Sequence, residues 1–204
     1  MTANTTTAST VSIAAETNGA ITILGGAGGN TITGSSSSMG DTITGGAGTD
    51  GITFAVASLD LLDTVNGGAG TDTVTISGNG TIADADFTNV TNIEALTMGV
   101  GGANTYVLGA EYAESGSVTL NVAAGVANNI TLGSGVTTAQ TIAMGTGTDT
   151  ISAALSGAAM TFTIAENNLA ATDTITGGTG SDTLTITFGG ANITAAEMAN
   201  VTAI

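Results

Sequence analysis

Gly67-Gly68-Ala69-Gly70-Thr71-Asp72-Thr73-Val74-Thr75 is the stretch that decides how this chain folds. Its glycines allow a tight turn that presents backbone carbonyls. Its Asp supplies a carboxylate at the end of the turn, and the Thr-Val-Thr that follows has strand chemistry. The same grammar appears at Gly45-Gly46-Ala47-Gly48-Thr49-Asp50 and at Gly177-Gly178-Thr179-Gly180-Ser181-Asp182. Weaker copies begin at Gly25, with Asn30 in the Asp slot, and at Met144, with Asp149 there.

Nine residues before three of these aspartates stands another, giving the pairs Asp41 and Asp50, Asp63 and Asp72, Asp173 and Asp182. Each upstream member opens its own Asp-Thr-(Ile/Val) run. The slots Asn30, Asp50 and Asp72 are spaced by 20 and 22 residues, and Asp41 and Asp63 by 22. Turn and strand therefore alternate about every nine residues, and a full coil takes two such units plus a few inserted residues. The reading is all-β: a parallel β-roll or β-solenoid with Gly-Asp-rich turns. Asn30, Asp50 and Asp72 line one edge, and Asp41 and Asp63 the other. The side-chain period of two sends Ile43 and Val74 inward and their flanking threonines outward.

A longer repeat overlies the short one. Asp63 to Thr91 matches Asp173 to Thr202 with an offset of 110 residues at the start and 111 at the end. Thr194-Ala195-Ala196-Glu197 has the form of a capping box, and Ala83-Asp84-Ala85-Asp86 keeps an acid at the fourth position. One short helical turn is expected in each copy, leading into an Asn-Val-Thr strand. The organisation read from these patterns is an N-terminal extended segment or edge strand over 1–20, a β-roll over 21–98, and a continuing solenoid over 99–204 that ends within the second long repeat.

Composition removes many functions. Among 204 residues there is no Lys, Arg or His against 16 acids, a formal charge of −16. Nucleic-acid binding needs cations to neutralise phosphate, and anionic membranes are disfavoured for the same reason. No Cys is present, so disulfides and thiolate metal sites are excluded. The start lacks a basic and apolar leader, and no run of about 18 apolar residues exists to span a bilayer. Enzyme activity is not expected: without His, Cys, Lys or Arg only carboxylate pairs remain. Asp60 with Asp63 and Asp84 with Asp86 are nominal examples, with two Tyr, four Phe and no Trp to line a cleft. Most of Glu16, Glu94, Glu111, Glu114, Glu166 and Glu197 read as solvated surface residues, with Glu94 alternating outward.

Seven of the ten aspartates fall in turn slots. Stacked turns bring like charges together, and the polymer carries no cation to offset them. Hard carboxylate and carbonyl oxygens suit Ca2+, so the candidate metal residues are Asn30, Asp41, Asp50, Asp63, Asp72, Asp149, Asp173 and Asp182, with folding coupled to the ion. The plainer alternative is a row of ordinary Asp/Gly turns without metal. A separate pattern is the Thr-x-Thr triplet, as in Thr31-Ile32-Thr33, Thr73-Val74-Thr75 and Thr161-Phe162-Thr163. Ranks of outward Thr on a solenoid suit an ice-binding face; they also suit any exposed strand.

The Gly-Gly-x-Gly-x-Asp copies resemble the RTX calcium-binding repeat. Phe87-Thr88-Asn89-Val90-Thr91-Asn92-Ile93-Glu94-Ala95-Leu96-Thr97 is similar to strands between RTX motifs in bacterial surface-layer proteins and large adhesins. The resemblance implies type I-like secretion, an extracellular, cell-surface location, and calcium-stabilised self-assembly into a surface layer or filament. The partners it implies are further copies of the chain and a cell-surface polysaccharide. The alternative it leaves is a ligand- or ice-binding repeat module of a large RTX adhesin.

Overall fold

In the computed structural model, residues 7–190 and 192–204 are described. The leader reading for residues 1–6 lies outside them. The strands in chain order are β1 (Thr10–Ser12), β2 (Thr22–Leu24), β3 (Thr31–Thr33), β4 (Thr42–Ala47), β5 (Gly51–Ala55), β6 (Thr64–Ala69), β7 (Thr73–Ser77), β8 (Thr81–Ile82) and β9 (Val90–Thr91). They continue as β10 (Ala95–Met98), β11 (Asn104–Leu108), β12 (Thr119–Asn121), β13 (Asn128–Leu132), β14 (Gln140–Ala143), β15 (Asp149–Ser152), β16 (Met160–Ala165), β17 (Thr174–Thr176), β18 (Thr183–Thr187) and β19 (Val201–Thr202). Helix α1 (Ala110–Glu114) and 3-10 turns at Asp84–Phe87 and Glu166–Asn168 complete the inventory among the described residues.

All pairings are parallel, and the chain winds as a β-solenoid. One face is a nine-stranded sheet in the order β1-β3-β5-β7-β10-β12-β14-β16-β18. The other consists of a four-stranded sheet, β2-β4-β6-β9, followed by a six-stranded sheet, β8-β11-β13-β15-β17-β19. The alternation anticipated from Thr-Ile-Thr is what closes the core. In the large sheet Ile32, Ile52, Val74, Leu96, Leu120, Ile142 and Phe162 align in one buried file. Ile23, Ile43, Val65 and Val90 form the facing file early in the chain, and Ile82, Tyr106, Ile130, Ile151 and Ile175 later. Each such side chain contributes about 1.5–3 kcal/mol on burial. The repetition along the axis, rather than a wide centre, makes the core.

The second face divides where the coil between β7 and β10 supplies two short strands. β9 pairs back to β6, and β8 pairs forward to β11. The turn Asp84–Phe87 lies between them, and α1 of the next coil packs on it. Phe87 meets Tyr112 edge-on, with centroids 5.6 Å apart and rings at 78°. Both rings are buried.

The long repeat is equally visible. Asn89 Nδ2 donates to the Leu61 carbonyl at 3.0 Å, and Asn200 Nδ2 to that of Ala171 at 3.1 Å. Val65 and Ile175 donate their N–H groups to the carbonyls of Asn89 and Asn200 at 3.0 and 3.1 Å. The capping acids also correspond: Asp86 accepts from the Ala83 N–H, and Glu197 from that of Thr194. Among the described residues the two non-glycine residues with positive φ, Asn92 (53°) and Ala203 (54°), sit at matching positions.

Candidate functional site

The strand register sets the turn residues in files. Because Thr31, Gly51, Thr73 and Ala95 are partners across successive coils, the residues just before them, Asn30, Asp50, Asp72 and Glu94, stand in one line. They form a continuous chain of bonds. Asn30 donates its backbone N–H and its Nδ2 to Asp50 Oδ1 at 2.6 and 2.9 Å. Asp50 donates its N–H to Asp72 Oδ1 at 2.7 Å, and Asp72 donates to Glu94 Oε2 at 2.6 Å. Each carboxylate thus accepts the amide of the equivalent residue one coil earlier.

The slots before the second-face strands repeat the device. Asp41 Oδ1 accepts the Ile21 N–H at 2.9 Å, and Asp63 Oδ1 accepts that of Asp41 at 2.8 Å. Further along, Asn104 Nδ2 donates to Asn128 Oδ1 at 3.0 Å, and Asn128 Nδ2 to Asp149 Oδ1 at 2.7 Å. The Asp149 N–H then donates to Asp173 Oδ1 at 2.9 Å. Asp182 accepts from the Met160 N–H at 2.8 Å and from the Gly178 N–H at 2.6 Å. The structure therefore brings Asn30, Asp50 and Asp72 together on one edge, Asp41 and Asp63 on the other, and Asp149 with Asp173. It leaves Asp182 in the first kind of slot, next to Met160.

These carboxylates are deeply placed. Asp50 and Asp72 are fully buried, and Asp41, Asp63, Asp149 and Asp173 are nearly so. Burial pushes Asp149 up to about 6, with the Asn128 hydrogen bonds pulling down and the Asp173 charge adding to the rise. Burial likewise raises Asp63, against the amides of Asp41 and Asp60, and Asp72, against the amide of Asp50; neighbouring carboxylates raise both further.

The glycines before the Asp are required by this geometry. A Cβ on Gly45 would fall on Asp50 Oδ2 and the Gly67 carbonyl. One on Gly67 would fall on the Asn92 carbonyl and Asp72 Oδ2, and one on Gly177 on the Ala203 carbonyl and Asp182 Oδ2. The second carboxylate oxygen thus folds into its own turn beside backbone carbonyls. In Asp50 and Asp72 this Oδ2 is buried without a hydrogen bond, a costly state for a charged group.

That orphaned oxygen is the observation on which a cation can be tested. Carboxylate and carbonyl oxygens without nitrogen or sulfur donors fit a hard ion such as Ca2+ in kind. They do not make a dense cluster: among the described residues no three acidic side chains lie close enough to hold a metal together. Each Oδ1 is already occupied by an amide. At Asp50 and Asp72 an ion would rest on one carboxylate oxygen per turn, completed by carbonyls and water, whereas in Asp41, Asp63, Asp173 and Asp182 the second oxygen also accepts a backbone amide, from Ser35, Asp60, Ala170 and Gly178.

Two of the solvated glutamate readings are corrected. Glu94 is not simply an outward strand residue; it sits one position before β10 and ends the Asn30–Asp50–Asp72 file. Its distance of 22 residues from Asp72 equals that from Asp50 to Asp72, and this spacing was the available clue. Glu166 is buried, and its carboxylate accepts the Gly189 N–H at 2.6 Å. Sequence reasoning also missed Asn104 and Asn128, which carry the file with amides instead of acids. Asp84 is another: its carboxylate accepts the N–H groups of Gly109, Glu111 and Tyr112 and so caps α1 from the preceding coil.

No helix among the described residues is long and apolar enough to cross a membrane. In comparisons with known proteins the chain matches no family model, no curated protein and no solved structure, so its reading rests on the files of buried carboxylates themselves.

Proposed function

We propose that this chain is an extracellular structural repeat protein whose coils are stabilised by Ca2+ and which assembles with further copies into a surface layer or filament. The observation that carries the reading is the pair of orphaned carboxylate oxygens, Asp50 Oδ2 and Asp72 Oδ2, buried beside carbonyls in a polymer without one cationic side chain. A divalent ion would neutralise this edge and satisfy both oxygens. Asn30, Asp50 and Asp72 would hold it on one edge, Asp41 and Asp63 on the other, with Asp149, Asp173 and Asp182 in the later coils. The role is mechanical, and no catalysis is assigned. The resemblance to RTX repeats supports cell-surface export and a polysaccharide anchor as parts of the same proposal.

The test is a thermal melt followed by circular dichroism in chelator and in millimolar CaCl2, with electron microscopy of both samples. A higher midpoint with calcium, together with ordered sheets or fibres, is the expected result. An unchanged midpoint removes calcium; dispersed monomers in both samples remove assembly.

A second reading, a repeat module of a large adhesin, is favoured by one feature. The outward files of both faces carry mainly hydroxyls and amides, with a few apolar residues such as Leu24 and Val107, and no charge, so the chain offers a recognition surface separate from its acidic edges.

A further inference from the structure

The outer face of the nine-stranded sheet carries two straight files of threonine. One runs from Thr10 to Thr183, with a residue on every strand, and only Gly51 and Ala95 interrupt the threonines. The other runs from Ser12 to Thr185, with Asn121 and Ala143 the further departures from Thr. Every step is in register, so the files do not drift. Neither contains an acid, although the molecule carries −16.

The mesh follows from sheet geometry. Neighbouring strands are about 4.8 Å apart, and residues two apart on a strand about 6.7 Å, so nine strands extend the mesh over roughly 38 Å. Each node offers one methyl and one hydroxyl that can both donate and accept. β-Branching leaves the side chain few rotamers, which fixes where the hydroxyls stand. Two threonine hydroxyls are used inside the sheet: Thr97 accepts from Asn121 Nδ2 at 3.0 Å, and Thr163 donates to the Ile142 carbonyl at 3.4 Å. The other threonine hydroxyls in the two files make no hydrogen bond to the protein among the described residues. They are left for water.

We infer that this face binds ice. A charged surface holds its own hydration shells and resists an ordered water layer. An in-register array of methyls between fixed hydroxyls holds water at the nodes instead, and the mesh is close to oxygen spacings on the faces of hexagonal ice. Binding then costs little ordering, because the array is already rigid. The opposite face is a poorer candidate. It divides between β9 and β8, and exposed Leu24 and Val107 interrupt its hydroxyls. The inference does not depend on calcium or on assembly.

The test is capture of the purified chain by slowly growing ice, with microscopy of crystal shape. The wild type is expected to enter the ice and to facet crystals. Thr53→Tyr and Thr75→Tyr, central in the second file, should abolish capture with circular dichroism unchanged, whereas Thr131→Tyr on the opposite face should not. Gly51→Thr fills a gap in the first file where a Cβ meets nothing within 4 Å, and should raise capture. This gain keeps the inference testable if the tyrosine variants misfold. Exclusion of the wild type from ice, or equal capture of folded Thr53→Tyr and Thr75→Tyr, overturns it.

Discussion

The backbone N–H of Asp50 donates to Asp72 Oδ1 at 2.7 Å, and the same Asp72 donates its own N–H to Glu94 Oε2 at 2.6 Å. A turn residue here is at once a donor to one neighbour and an acceptor for the other. Each carboxylate thereby fixes the height of the coil before it, and the file acts as a spine outside the sheet ladders.

Substitutions at Asp72 separate the parts of this spine. Asp72→Ala leaves the buried Asp50 N–H without its acceptor and should lower stability by about 1–3 kcal/mol. Asp72→Asn keeps an oxygen for that amide and offers an NH2 where Oδ2 is orphaned beside the Asn92 carbonyl. In metal-free buffer at neutral pH its urea midpoint is expected at or above the wild-type value, while its gain from calcium shrinks. A midpoint for Asp72→Asn below that of Asp72→Ala would show that the amide-acceptor account is wrong.

Acid should stabilise the metal-free chain. Asp149, Asp63 and Asp72 have raised folded pKa values, so between the unfolded value and the folded one the native state binds more protons. The resulting stability is fully present below about pH 4 and is lost as pH rises through the folded values, which for Asp149 means about 6. Loss of net charge acts in the same direction. The groups facing these carboxylates are Asp173 and Asn128 for Asp149, Asp41 and Asp60 for Asp63, and Asp50 and Glu94 for Asp72. Melting midpoints measured in chelator should be higher at pH 4.5 than at pH 7.5, with a smaller difference in Asp149→Asn. A flat or opposite profile would contradict the burial of these groups as charged carboxylates.

Two glycines, Gly67 in β6 and Gly51 at the start of β5, should respond oppositely. Gly67→Ala places its Cβ on the Asn92 carbonyl and is expected to destabilise strongly or prevent folding. A Cβ at Gly51 meets nothing within 4 Å, so Gly51→Thr enters open space at its first atom. It removes an unfolded-state entropy cost and adds a strand former, so a gain of about 0.5–1 kcal/mol is expected. Denaturation midpoints of both variants decide the matter.

Asp84 holds α1 from outside the helix. Asp84→Ala removes the acceptor of three amides, those of Gly109, Glu111 and Tyr112, and should cost about 1–2 kcal/mol, as loss of an N-cap does. Near-ultraviolet circular dichroism of the tyrosines should weaken as Tyr112 loosens against Phe87. An unchanged spectrum and midpoint would show that packing alone retains the helix.

The solenoid was legible because its determinants are local and periodic. Thr42-Ile43-Thr44 states which side faces in, and spacings of 20 and 22 state which turns stack. The edge positions of Asp50, Asp72, Asp41 and Asp63 followed from the same arithmetic. What stayed hidden was chemistry carried by position instead of residue type. Glu94, Asn104 and Asn128 occupy file positions without the Gly-Gly-x-Gly-x-Asp turn, so motif reading passed over them. The carboxylate of Glu166 accepts the N–H of Gly189, 23 residues later, a relation invisible to period or composition. Nor could spacing reveal that Oδ1 of each turn acid is engaged by an amide, since the donor is a backbone group and leaves no mark in sequence.

The correspondence of Asn89 with Asn200 and of Asn92 with Ala203 makes the molecule modular in a practical sense. The 110 residues from Asp63 through Leu62's counterpart, Thr172, form a cassette with the same asparagine-to-carbonyl docking contact at its two borders. Cutting it out, or pasting in another, would change how tall the stack is while leaving its cross-section alone. Height is then a quantity this architecture can inherit by copying, with no new core to invent.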